Sequence, residues 1–153
     1  MSKSRLAIVT LAGVLVALQF VPVERENPPV SGDVDAPPPV DAILRRSCYD
    51  CHSNETRWPW YAKVAPISWL VARDVNDGRE HLNFSEWTSL PAGEKRHELR
   101  EVWEEVEAGE MPLALYLFMH GDARLGPADL EALHDWTLGA GQDAVDREEE
   151  RGG

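Results

Sequence analysis

The feature that most constrains this chain is the segment Cys48-Tyr49-Asp50-Cys51-His52. The sequence contains two cysteines in all, and this segment holds both of them, with a histidine directly after the second. Spacing of this C-x-x-C-H kind is used to attach a c-type haem. The two thiols form thioethers with the haem vinyl groups, and the adjacent imidazole reaches the iron. The sequence therefore predicts one covalently attached haem c, held by Cys48 and Cys51 and ligated by His52.

Paired cysteines have other uses, which remain as alternatives. A thioredoxin-like dithiol belongs in a βαβ context, and the sequence shows no alternating strand pattern. A structural disulfide in an exported protein would not need the following histidine. A zinc site needs four ligands, and the remaining histidines show no paired spacing with the cysteines; they are His81, His97, His120 and His134. The haem site is favoured over each of these.

A second axial ligand is expected from a constrained loop rather than from a flexible one. Met111 follows the third predicted helix in the segment Gly109-Glu110-Met111-Pro112, where the glycine ends the helix and the proline restricts the next turn. Methionines more often fill cores, so rival ligands stay open. These rivals are Met119, His120, His81 and His134. We predict that Met111 is the sixth ligand, which would give a closed redox centre.

The N-terminus carries an export signal. Lys3 and Arg5 precede an uncharged run of 18 residues from Leu6 to Val23. A helix of that length spans roughly 27 Å, close to the hydrocarbon thickness of a bilayer. No clear cleavage site follows, so an uncleaved transmembrane signal anchor over residues 1–23 is favoured. The basic residues place the remainder of the chain on the periplasmic side of the cytoplasmic membrane.

Composition divides the rest of the chain into three parts. Residues 24–39 contain five prolines and little to bury, which predicts a proline-rich tether. Residues 40–140 carry the helical patterns and the haem motif, and form the predicted domain. Residues 141–153 are rich in glutamate and are expected to form an acidic disordered tail. One compact domain is all that a chain of 153 residues allows beside these extensions.

Hydrophobic periodicity predicts an all-α domain. Four helices are expected: from Val40 into the cysteines, from Pro66 to His81, from about Pro91 to Ala108, and from near Pro127 into the tail. Their predicted buried stripes are Val40, Ile43, Leu44 and Ser47; Ile67, Leu70, Val71 and Val75; Leu99, Val102, Trp103 and Val106; and Leu130, Leu133, Trp136 with Thr137 or Leu138.

The charge of the chain limits its partners. The formal net charge is −12, which disfavours binding to nucleic acid and to anionic lipid. A negative surface instead suits brief encounters with a redox partner that has a basic docking surface. Simple solubility is the competing explanation of the charge.

The run CYDCHSNETRWPWYAKVAPISWLVARDVNDGREHLNFSEW, with the later EMPL and ALHDW segments, resembles the bacterial haem-binding domain family of small exported proteins related to cytochrome c. The similarity extends over roughly 40–138. It implies a cytochrome c-like helical fold around one haem, thioether-linked through Cys48 and Cys51 and ligated by His52 and Met111. Two further groups of residues are shared family features. Trp58, Pro59, Trp60 and Tyr61 would either line the haem edge or pack in the core. Arg73 and Arg79 would either pair with the haem propionates or face solvent.

These observations lead to an expected function of one-electron transfer. The chain is expected to be a membrane-tethered periplasmic monohaem carrier and not an enzyme, because the sequence shows no catalytic constellation for peroxidase-type chemistry. A haem-based sensor or gas-binding module is one alternative, in which the sixth position is empty or held by a displaceable ligand. A haem subunit of a larger oxidoreductase is another.

Overall fold

The computed structural model describes the backbone of residues 2–152 and the side chains of residues 2–140, and the described backbone is helical without a β-strand. An isolated parallel bridge joins Gly32 and Glu86. The α-helices are α1 Lys3–Leu18, α2 Pro38–Ser47, α3 Tyr49–His52, α4 Ile67–His81, α5 Ala92–Glu107, α6 Ala114–Met119 and α7 Pro127–Gly152. Short 3₁₀ turns cover Trp60–Lys63, Trp87–Ser89 and Gly121–Ala123. The all-α prediction is confirmed.

Helix α2 leads directly into the haem motif. Pro38 suits its first turn, where a backbone N–H has no intrahelical acceptor. The helix buries its predicted stripe of Val40, Ile43, Leu44 and Ser47. Helix α3 starts one residue after Cys48, so burial of the α2 stripe also sets the position of the motif.

Helices α5 and α7 form the most extensive helix pair of the domain. Leu99 and Val106 of α5 and Leu133 and Trp136 of α7 are buried in the core, as the periodicity predicted. On the last turn of the α7 stripe Thr137 is buried, while Leu138 is 60% exposed. Helix α2 packs against α7, which connects this pair to the haem motif.

Helix α4 buries Val75 as predicted, but the rest of its buried face differs from the predicted stripe. Ser68, Ala72 and Val75 are buried, whereas Ile67 and Leu70 are 48% and 40% exposed. Ser68 and Ala72 are small, so α4 can pack closely against its neighbours, which are α3 and the 3₁₀ turn Trp60–Lys63. Periodicity favoured the large apolar residues because it measures hydrophobicity and not the distance between helices.

Residues 24–39, predicted to be a tether, lie along the domain instead. The amides of Ser31 and Gly32 both donate to the carbonyl of Ser85 at 3.0 Å. Val34 is buried in the main core. Composition alone could not show this, because the segment is held mainly through its backbone and not through large apolar side chains.

Polar side chains of the domain complete the attachment of this segment. Arg79 donates to the carbonyl of Glu26 at 2.8 Å and to the side chain of Asn27 at 3.0 Å. Asn54 donates to the carbonyl of Pro29 at 3.0 Å. These donors satisfy carbonyls that a proline-rich, extended chain cannot pair internally.

An ion-pair network attaches Asp33 beside the motif. Arg45 contacts Asp33 at 2.7 Å, Asp41 at 2.9 Å and Glu55 at 3.1 Å, and its guanidinium lies over the ring of Tyr49. The Tyr49 hydroxyl donates to Asp33. Since Arg45 is partly exposed, each pair is worth little alone, and the network mainly restricts the position of the segment.

Helix α1 is apolar, has no buried residue and ends at Leu18, five residues before the predicted end of the hydrophobic segment. The side chain of Gln19 then exchanges two hydrogen bonds with the backbone of Ala65, at 3.0 and 3.1 Å. No helix in residues 2–152 is long and apolar enough to cross a membrane. The predicted transmembrane helix is therefore not supported.

Helix α7 continues to Gly152, through the region predicted to be a disordered tail. Glutamate and arginine are good helix formers, which explains how a strongly charged stretch can extend an existing helix. The side chains of residues 141–153 lie outside the described part of the structure, so the remaining properties of the acidic tail stay a prediction.

We expect Ser85→Ala to destabilise the fold by about 1–3 kcal/mol, because a buried amide would lose its acceptor. The Ser85 hydroxyl is fully buried and accepts from the amide of Asn54 at 2.9 Å. Ser89→Ala is the matched control, since the hydroxyl of Ser89 is exposed. Urea unfolding of both variants measures the difference, and equal midpoints would contradict this role.

Candidate functional site

A cavity of about 410 Å³ opens between α3, α4, α5 and the segment that leads into α6. Its apolar lining is formed by Leu82, Phe84, Val102, Val106, Leu113 and Leu125. Cys48, Cys51, His52 and Met111 all line this same cavity. The structure thus brings together the four residues that the sequence predicted to form one site.

The backbone of the motif is held by the segment that follows α4. The amide of Phe84 donates to the carbonyl of His52 at 2.9 Å. Asn83 donates from its side chain to that of Asn54 at 2.9 Å, and its own side-chain oxygen accepts from the amide of Ser85 at 3.1 Å. Asn83 and Ser85 lie outside the haem motif in the sequence, yet they fix its position.

The imidazole of His52 is oriented by a backbone carbonyl. Its Nδ1 lies 3.2 Å from the carbonyl oxygen of Leu82, an arrangement in which Nδ1–H donates and Nε2 is left without a proton. Burial lowers the pKa of His52 and is the dominant cause, so the ring is neutral at pH 7. A neutral imidazole with a free Nε2 and a hydrogen-bonded Nδ1 is what a metal-ligating histidine requires.

Both cysteines are free and partly buried. Burial raises the pKa of the Cys48 thiol to about 12 and that of the Cys51 thiol to about 11. Asp50 and Asp74 further oppose ionisation of Cys51, while Arg79 favours it. The thiols are therefore protonated at neutral pH. Thioethers are uncharged and suit this environment better than thiolates would.

Gly78 allows α4 to contact the motif. A Cβ atom at this position would lie 2.8 Å from the carbonyl oxygen of Cys51 and 3.2 Å from its Cβ. Any other residue would push α4 away from α3. Gly78 was not among the predicted site residues, although an isolated glycine inside a helical pattern can indicate close packing.

Asp50, inside the motif, joins α3 to the opposite side of the cavity. Its carboxylate accepts from Tyr116 at 2.8 Å and from Arg57, whose Nε and amide each lie 3.1 Å away. Tyr116 lines the cavity. These partners were not predicted, because a sequence does not show which residues far along the chain meet a motif.

The segment that carries Met111 is fixed to the end of α5. Gly109 has a positive φ of 74°, a left-handed conformation that suits glycine and ends the helix as predicted. The amides of Glu110 and Met111 donate to the carbonyl of Glu105 at 3.0 and 3.2 Å. Met111 therefore projects from a constrained loop into the cavity.

A family model described as a haem-binding domain matches residues 13–138. The chain belongs to the haem-binding domain family. No curated protein and no solved structure matched the chain. The family match extends over the motif, the cavity and residues 24–39, in agreement with the packing of that segment against the haem-binding domain.

Of the rival ligands, only His81 lines the cavity of this haem-binding domain. His120 stacks on Tyr116, His134 packs against Trp103, and Met119 is 49% exposed. His81 itself lies at the exposed end of α4, with its Nδ1 2.7 Å from the carbonyl of Asp77. Met111 and His81 are thus the two candidates that face the site.

The residues expected around a haem edge lie elsewhere. None of Trp58, Pro59, Trp60 and Tyr61 lines the cavity, and neither do Arg73 and Arg79. Arg73 pairs with Asp77 at 3.2 Å. Arg79 donates to the carbonyl of Ser53 at 2.8 Å, in addition to its contacts with residues 26–27. Arg79 therefore holds the protein scaffold, whereas Arg73 lies on the solvent-exposed face of α4, and neither lines the cavity.

Carboxylates dominate the charge of the cavity. Its acidic lining consists of Asp50, Asp74, Asp77, Glu98, Glu101 and Glu105, and no lysine or arginine in the described part of the chain lines it. Burial, followed by neighbouring carboxylates, raises the pKa of Asp74 and of Glu98 despite nearby Arg73 and His97. The lining of the cavity is therefore acidic.

The cavity suits a haem in size, apolarity and donor set. Its volume lies within the range of about 300–1,000 Å³ that is usual for small-molecule sites. The side chains of Cys48, Cys51, His52 and Met111 match thioether attachment and axial ligation. What the lining lacks is a cation for the propionates.

We expect Gly78→Ala to lower both stability and haem incorporation, because the new methyl group would overlap the backbone of Cys51. The cost should be about 1–3 kcal/mol, as for other overpacked sites. Gly139→Ala in α7 is the matched control, since nothing lies within 4 Å of a Cβ there. Thermal unfolding and the haem-to-protein absorbance ratio measure the two effects. If Gly78→Ala behaved like the control, close packing at this position would be unnecessary.

Proposed function

We propose that this haem-binding domain protein is a periplasmic c-type monohaem electron carrier. Haem would be attached through Cys48 and Cys51, with His52 and Met111 as its axial ligands. The observation that carries the proposal is the placement of these four side chains around one apolar cavity. When bound, the haem supplies a one-electron Fe(II)/Fe(III) couple.

The protein's own groups support a rigid redox site. The carbonyl of Leu82 fixes the plane of the His52 ring, and the carbonyl of Glu105 restrains the backbone of Met111. Ligands held in this way change position little when the charge of a bound metal changes. Two protein ligands would also leave no axial vacancy for a substrate, which favours electron transfer over catalysis.

Export and membrane attachment form part of the proposal. Lys3 and Arg5 ahead of the uncharged segment support transfer of the domain to the periplasmic side. The side chains of α1 are exposed and apolar, among them Leu6, Ile8 and Leu11 at 54–66%. Contact with lipid would cover them, so we propose that this segment tethers the protein to the cytoplasmic membrane.

Covalent attachment is tested by a haem stain after denaturing electrophoresis. The full chain, expressed with the haem-attachment machinery, should stain because thioether bonds survive denaturation. A double variant with Cys48→Ala and Cys51→Ala should lose the stain, while Met119→Ala should keep it. An unstained wild-type chain that still binds haem in solution would overturn the c-type assignment.

Axial ligation by Met111 is tested by the absorption spectrum of the oxidised protein. Methionine sulfur gives ferric haem a weak charge-transfer band at the red end of the visible spectrum. Met111→Ala should abolish this band, and Met119→Ala should preserve it.

The same pair of variants separates the carrier from a gas-binding module. The reduced wild type should bind CO slowly, because a ligand must first leave, and Met111→Ala should bind it at least tenfold faster. Rapid CO binding by the wild type would favour a sensor. Absence of the band from the wild type, together with CO binding that His81→Ala accelerates and Met111→Ala does not, would move the ligand role to His81.

A further inference from the structure

Helix α6 leaves an apolar surface uncovered at the edge of the cavity. Phe118 is 82% exposed, Leu115 59% and Met119 49%, and α6 has no buried residue. Trp60, on the neighbouring 3₁₀ turn, is 73% exposed. We call these four residues the α6 face. Large apolar side chains gathered in this way are typical of interaction sites.

Aromatic contacts connect the α6 face to the haem site. Tyr116, which lines the cavity, stacks on His120 with ring centroids 4.1 Å apart. The ring of His120 meets Tyr61 at 6.2 Å, and Tyr61 meets Trp60 at 5.8 Å. A series of aromatic contacts therefore connects Trp60 to α6. The series ends at Tyr116, on the wall of the cavity.

Negative charge lies on the other walls of the cavity that α6 borders. Asp74, Glu98 and Glu105 line the cavity that α6 borders, and none of them forms an ion pair with another described residue. On the same side, Arg57 is neutralised by Asp50, and Lys63 is the neighbouring cation on the 3₁₀ turn. An apolar centre with a charged margin is the usual anatomy of a protein interface, and the sign of the margin selects the partner.

We propose that the α6 face, together with the carboxylates of Asp74, Glu98 and Glu105, is the docking surface for a basic redox protein. This inference rests on the proposed electron-carrier function and specifies where its partner binds. A partner with positive charge around an apolar cofactor edge would complement the α6 face and its three carboxylates. A second copy of this chain would bring like charges together, and an anionic membrane would be repelled.

The test measures binding of the full-length holoprotein to mitochondrial-type cytochrome c, a basic one-haem protein used as the probe. Calorimetry at low ionic strength should detect binding that 0.5 M salt abolishes. A double variant with Leu115→Ser and Phe118→Ser should raise Kd at least tenfold, and so should a double variant with Glu98→Lys and Glu105→Lys. Succinylated probe, whose charge is reversed, should not bind.

Matched controls lie on α7, away from the cavity. Leu138→Ser removes an exposed apolar side chain, and Glu131→Lys reverses an exposed charge. Both should change Kd less than twofold. If they weakened binding as much as the α6 variants, the probe would be attracted by overall charge and the proposed surface would be wrong. Circular dichroism verifies that every variant is folded.

Other occupants give different results. Absence of probe binding, together with binding to neutral phosphatidylcholine vesicles that the Leu115→Ser and Phe118→Ser variant weakens and Leu138→Ser does not, would assign the α6 face to lipid in addition to α1. Self-association lost in the same variant would assign it to a second copy. Both proteins are oxidised during the titration, so the binding result does not depend on electron transfer. If the holoprotein failed to transfer an electron in a separate measurement, the proposed function would be overturned and the binding result would stand.

Discussion

The close contact between α3 and α4 is the constraint on which the haem site depends. Gly78 brings the α4 backbone against the carbonyl of Cys51, and the small buried residues Ser68 and Ala72 lie on earlier turns of the same helix. The chain can then turn after α4 and place the carbonyl of Leu82 beside His52. The orientation of the proximal imidazole is thus a consequence of helix packing. A larger side chain on this face of α4 would disturb the ligand through the scaffold, without touching it.

Sequence reasoning succeeded where the signal was local. The helices that carry the motif and the core have strong periodicity, so α2, α5 and the start of α7 lie where they were expected. Gly109 predicted the end of α5 correctly. A left-handed helix end depends on the identity of a single residue, so the sequence alone reveals it. The four predicted site residues could be named because motif chemistry and loop chemistry are also local. Their assembly around one cavity agrees with that reasoning, while their roles as ligands stay part of the proposal.

Prediction failed where a contact joins distant parts of the chain through small or polar groups. The buried face of α4 includes the small residues Ser68 and Ala72, which a pattern of large apolar residues does not reveal. Residues 24–39 pack on the domain through carbonyls that Asn54 and Arg79 recognise, and no pattern of apolar residues reveals such contacts. The aromatic and arginine residues near Trp58 and Arg73 looked like cofactor contacts because of their chemistry. In the structure these residues lie outside the cavity. The charged residues that line the cavity are carboxylates instead.

The two hydrogen bonds between Gln19 and Ala65 have a mechanical meaning. They clamp the end of α1 to the residue two places before α4, the helix that packs on the motif. Residues 24–39 are also hydrogen-bonded to the domain. The chain between α1 and the cofactor cavity is therefore held along much of its length. These contacts restrict how far the end of α1 can move relative to the cavity. The opening of the cavity would then keep a fixed orientation relative to α1. A binding partner would have to approach the cavity in that orientation.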